Sequence, residues 1–177
     1  MYQLQREAKQ LSLLALLQDF YREKLAMLFR HQAAARQVGQ YDVNNTYQYL
    51  INRDETQLSW VAAAIVDLGG SVPEGEEGGG DRREEDHRRG RRGTEAARVA
   101  IESDGREAQA FVDRWRPRVD GMTNARHAKM LQVILGEVLE QKRSFEQALA
   151  GRTDLLGRRG EEAGPAQGEV LATRWVE

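Results

Sequence analysis

The chain has no cysteine among its 177 residues, which excludes disulfides, thiolate metal sites and thiol catalysis together, and leaves a reducing compartment as compatible as any other. It also lacks an excess of charge of either sign, since 26 Lys and Arg face 28 Asp and Glu. No global field therefore draws in nucleic acid or an anionic membrane surface, and a charged partner has to be recognised locally. Long apolar runs are missing too. The amino terminus is polar around Gln5, Arg6 and Glu7, and the first apolar cluster, residues 11–17, is too short to span a bilayer. These absences predict a soluble, cytoplasmic protein with no membrane partner. Histidine is scarce and scattered at His31, His87 and His127, of which only His127 falls on a predicted buried stripe, as a packing or capping residue. No serine has a base partner that would make it a nucleophile. Gly78, Gly79 and Gly80 lack the preceding strand and the following Lys and Ser/Thr of a phosphate loop.

What the chain does have is helical periodicity. Apolar residues recur at helix spacing over 4–38 and 43–68, and again in two segments beyond a charged, glycine-rich stretch. The third helix is predicted from Thr94, an N-cap, to the residue before Pro117, with Gly105 a weak point inside it. The fourth runs from Thr123 or Asn124 to Ala150, with Gly151 placed to take the left-handed conformation after its end. Short connections at 39–42 and 117–123 force antiparallel neighbours. Residues 69–93, between the second and third helices, hold eight glycines, six arginines and seven acids, with Val72 almost alone as an apolar residue. Such a segment buries too little surface to offset its ordering entropy, so a loosely ordered crossover is expected. Its cluster Arg88, Arg89, Arg91 and Arg92 follows directly on Glu84, Glu85 and Asp86 and has no interleaved aromatic, so it reads as a solvated polyampholyte linker rather than a nucleic-acid contact.

The expected architecture is all-α: a four-helix bundle of two antiparallel hairpins joined by a long crossover, over residues 1–157. A flexible spacer and an apolar carboxyl-terminal tail follow over 158–177. In that tail, Leu171, Trp175 and Val176 are suited to docking into pockets, on the chain's own bundle or on another protein.

Over residues 4–150 this layout resembles the ferritin-like superfamily, which includes rubrerythrins and bacterioferritins. The resemblance implies a dinuclear iron or manganese site built from one Glu on each of helices one and three and a Glu-x-x-His pair on each of helices two and four. Glu23 and Glu55, and then Glu107 and Glu140, are spaced in a way that resembles this pattern. The imidazole positions are filled by Leu58 and Arg143, which bind no cation. Rotational phase removes two of the acids as well. With Leu11, Leu14 and Leu25 taken as the buried face of helix one, Glu23 points to water, and Glu140 lies opposite Leu131 and Val138. Glu23 shares a second stripe with Phe20 and Met27, so its assignment inverts if that stripe is the core.

Asp54, Glu55, Asp104 and Glu107 are expected to face inward, with Arg22 near the same depth. In the first reading they form an ion-paired polar layer in which arginine supplies the charge a metal would have supplied. The protein is then a ferritin-like bundle without the usual di-iron site, acting as a non-catalytic structural or interaction protein with no cofactor. In the second reading the same four carboxylates hold iron or manganese in an atypical site of an oxidoreductase or iron-handling protein. A homodimer or another protein partner is allowed by Leu13, Leu16, Phe20 and Met27, which lie off the main stripe of helix one.

Overall fold

The computed structural model describes residues 2–75, 91–152 and 155–156. The described residues form four α-helices and no strand: α1 (Tyr2–Gln37), α2 (Tyr41–Asp67), α3 (Arg91–Asp120) and α4 (Ala125–Leu149). α1 packs against α2 and α3, and α4 packs against α3 and α2. Side chains show the order in which the helices meet. Gln10 near the start of α1 donates to the carbonyl of Leu68 after α2, whereas Asn44 near the start of α2 donates to the carbonyl of Ala35 late in α1. Along α1 and α3, Glu23 meets Trp115 and Arg30 meets Asp104. None of the described helices is long and apolar enough to cross a membrane.

Local sequence chemistry explains where the helices stop. Gly69 and Gly151 have φ of 78° and 77°, the left-handed conformation that glycine adopts without a Cβ penalty. At each end two backbone N–H groups turn back onto late carbonyls: Gly69 to Val66 and Gly70 to Ile65, then Gly151 to Ala148 and Arg152 to Gln147. α4 begins at Asn124, whose side chain accepts from the His127 N–H at 3.1 Å. α3 departs from the expected bounds at both ends, starting at Arg91 instead of Thr94 and passing through Pro117 to Asp120. Proline removes one helical donor there, but Trp115 and Val119 on either side are buried in the core and hold the last turn in place.

The heptad spacing of the core is regular. In α1 the inward positions are Leu13, Leu17, Phe20, Lys24, Met27, His31 and Ala34, with Val38 just past its end, and they alternate steps of four and three. α2 repeats this with Val43, Tyr47, Leu50, Asp54, Gln57, Val61 and Ala64, and α4 with His127, Leu131, Ile134, Val138, Gln141 and Phe145. The core face of α1 is therefore the stripe of Phe20 and Met27, not that of Leu11, Leu14 and Leu25. Leu11 is 65% exposed. Phe20 and Met27 are buried in the bundle interior, and Leu13 and Leu16 are partly buried and pack against it.

Residues 69–75 also correct the expectation of a loose link, because they lie along α1. Gln18 donates to the carbonyl of Ser71, and the backbone at Gly70 and Gly75 lies so close to Leu14, and to Leu25 and Phe29, that neither position has room for a β-carbon. That contact is what the remaining apolar residues of α1 are for. The rest of the arginine-rich link, and the tail with Leu171, Trp175 and Val176, lie outside the described residues.

A charged layer between two apolar blocks

The apolar core comes in two blocks. One gathers Leu17, Phe20, Met27, Val61, Phe111, Trp115, Leu131 and Val138, with Phe20 edge-on to both Phe111 and Trp115. The other gathers Ala34, Val43, Tyr47, Leu50, Ile101 and Phe145. Between and beside them the heptad positions are polar. Lys24, His31, Asp54, Gln57, Asp104 and Gln141 are all buried.

Asp54 of α2 is the hub. Its Oδ1 accepts from Lys24 Nζ at 2.5 Å and from Gln141 Nε2 at 2.7 Å, and its Oδ2 lies 2.6 Å from His31 Nδ1. Burial alone would raise the pKa of this carboxyl, but the Lys24 charge and the His31 contact outweigh it and hold the group down to about 2. Burial pushes Lys24 down, partly opposed by Asp54. A second acid, Glu137, accepts from Gln57 Nε2 at 2.5 Å and from the Arg53 guanidinium. Asp104 of α3 accepts from the Tyr47 hydroxyl at 2.7 Å and from Arg30 at 3.3 Å. Burial, and then the Asp104 charge, raise the Tyr47 phenol far above its usual range, so it acts as a neutral donor.

The five residues predicted for this layer divide. Asp54 and Asp104 are inside. Glu107 is half-exposed at the α1–α3 seam, paired with Arg30 at 3.3 Å. Glu55 is exposed, one position off the heptad seam that Asp54 occupies. Arg22 is exposed as well and paired with Asp19, because the core phase of α1 turns Lys24 inward two residues later. The layer's interior cation is thus a lysine, not Arg22. Glu140 is exposed against Arg143. Glu23, predicted to face water, lies instead in the α1–α3 seam, where its carboxylate accepts from Trp115 Nε1 at 3.0 Å and from Arg114. His127 is buried as expected and its ring contacts its own N-cap, Asn124. Burial lowers its pKa, with Arg126 acting in the same direction. His31, treated as one of three scattered histidines, is the one inside the layer. Lys24, His31, Gln57 and Gln141 share one legible signal, the alternating four and three spacing.

Among the described residues no group of three or more His, Asp or Glu is placed to hold a metal ion. The side chains present do not suit a dinuclear iron or manganese centre. An ammonium sits against the most buried carboxylate, Glu23 and Glu107 are engaged by arginines, and Glu55 and Glu140 point away.

No protein-family model matches the chain, and no curated protein matches it. Two solved structures are similar. A conserved hypothetical protein from Mycobacterium tuberculosis has 15% sequence identity and a TM-score of 0.62, over 76% of this chain and 95% of that one. A protein from Xanthomonas campestris has 16% identity and a TM-score of 0.53, over 84% of this chain and 96% of that one. At these identities the likeness is one of fold.

Proposed function

We propose that this protein is a ferritin-like bundle, two antiparallel hairpins joined by a long crossover, that has lost the usual di-iron site and serves as a non-catalytic structural or interaction protein. The observation that carries the reading is Lys24. Its ammonium is fully buried against Asp54, in the polar layer between the two apolar blocks. A tethered cation there neutralises the carboxylate that a bound metal would otherwise need to neutralise, and it repels a second cation. The order in which α1 meets α2 and α3 supports the proposed topology, since the link leaving α2 must return along the bundle to start α3. Residues 70–75 already run beside α1 in that sense.

The test is elemental analysis of the full chain purified without a metal-affinity tag, with melting curves in added Fe(II), Mn(II) and Zn(II). Substoichiometric metal and unmoved midpoints are expected. Stoichiometric iron, manganese or zinc would overturn the reading.

A further inference from the structure

At the end of the bundle where α1 gives way to α2, a cleft of about 740 Å³ opens between the last turns of α1 and α4 and the first turns of α3. Val38, Ala97, Ile101, Ala148 and Leu149 line it with hydrocarbon. Its charge is of one sign, since Arg36 and Arg98 stand in the lining with no acid, and neither makes an ion pair among the described residues. Arg30, Arg53, Arg114 and Arg143, by contrast, each hold an acid. An apolar floor with an unanswered cationic rim is complementary to an apolar segment flanked by carboxylates.

The chain comes back to this end after α4. Gly151 turns it, and Leu155 is buried in the same apolar block as Val38 and Ile101, against Ala97 and Ala148, all four of which line the cleft. What continues from Leu156 therefore starts beside the cleft. In residues 169–177, outside the described part, Leu171, Trp175 and Val176 stand among two acids, Glu169 and Glu177, and one base, Arg174. Leu171 lies fifteen positions beyond Leu156, across Gly157, Gly160, Gly164 and Gly168, and a glycine-rich stretch of that length spans about 20 Å. The cleft at the opposite end, lined by Leu13, Leu16 and Met122, is the length of α4 away, about 37 Å. The near cleft is the one in reach.

We propose that residues 169–177 of the same chain occupy this cleft, with Leu171, Trp175 and Val176 on its apolar floor and the acids beside Arg36 and Arg98. The tether holds the segment at a roughly millimolar effective concentration, so modest intrinsic affinity suffices. Docked there, the segment ties α1, α3 and α4 together at the end of the bundle and is withheld from other proteins. This goes beyond the structural role proposed above and needs no metal, so it stands or falls separately from the metal analysis.

The experiment uses the full chain, which has no cysteine, so a nitroxide spin label on Thr173→Cys is unique. In ¹⁵N–¹H spectra the label should reduce the amide intensities of Val38, Ile101 and Leu149 at least twofold, and leave those of Leu13 and Met122 unchanged. Trp175→Ala should restore the lost intensities. So should Arg36→Glu combined with Arg98→Glu, which changes only exposed, unpaired side chains. A mixture of labelled ¹⁴N chains with unlabelled ¹⁵N chains should show no loss. A loss centred on the opposite cleft or spread evenly over the bundle, no loss at all, no response to Trp175→Ala, or a loss in the mixture, which would mean docking on a second copy, would each overturn the proposal.

Discussion

At the residue scale, Asp54 concentrates the electrostatic risk of the whole core. It is buried, ionised and satisfied by three donors from two other helices. Removing one member of a buried pair leaves the other uncompensated, so Lys24→Met is expected to cost about 3–5 kcal/mol in urea denaturation. Lys24→Met combined with Asp54→Leu should recover most of that loss, because no orphan charge remains. A double variant as unstable as the single one would mean that Lys24 acts through packing alone. The same carboxyl sets the acid limit. Its folded pKa, about 2, lies below its unfolded value near 3.8, so the unfolded chain binds the proton first. Its contribution, about 2 kcal/mol, is fully present above pH 4 and is lost as pH falls through that window. Stability curves against pH should show this slope in the wild type and lack it in Asp54→Asn. His127 acts in the same sense nearer neutrality: its lowered pKa means stability falls as pH drops below about 6.5.

At the scale of the elements, the glycines have separate tasks. Gly136 is on the exposed side of α4, and a β-carbon there meets nothing within 4 Å, so Gly136→Ala is expected to stabilise the protein by about 1 kcal/mol. Gly69→Ala has open space as well but a positive φ, and it should destabilise by about 1 kcal/mol. Thermal midpoints that move the same way for both would contradict this division. The helix ends at Asn124, Gly69 and Gly151 were readable in the sequence because caps are local chemistry. The phase of α1 was not. Its apolar residues surround most of the cylinder, and the stripe of Leu14 and Leu25 that looks like a core face is covered by residues 70–75, a contact between distant parts of the chain. A core face placed on that stripe turns Arg22 inward and leaves Lys24 and His31 out of the charged layer. Asp54 and Asp104 are legible from the sequence because α2 and α3 each carry a single clear apolar stripe.

At the scale of the whole molecule, the polar layer separates two blocks of apolar packing without separating the helices, since all four run through both blocks. Unfolding is therefore expected to be one cooperative transition. Trp115 fluorescence, measured with Trp60 and Trp175 replaced by Phe, reports on one block, and helical circular dichroism reports on both. Their urea midpoints should coincide, and Phe145→Ala, in the other block, should shift the Trp115 midpoint as much as the dichroism midpoint. Two resolved midpoints would show that the blocks melt independently.

A heptad repeat leaves helices free to slide, because each seven-residue step, roughly 10.5 Å, restores the same apolar face. Here polar side chains interrupt the repeat in every helix, and Lys24, His31, Asp54 and Gln141 do so where they meet one another. A slip of α1 by one step brings Leu17 to the place of Lys24 and Lys24 to that of His31, and a slip of α4 brings Ile134 in place of Gln141. Either move takes one donor from the ionised Asp54 and sets an apolar side chain in its place. The charges thus work as an alignment key, favouring the one registration in which Lys24, His31 and Gln141 all reach Asp54.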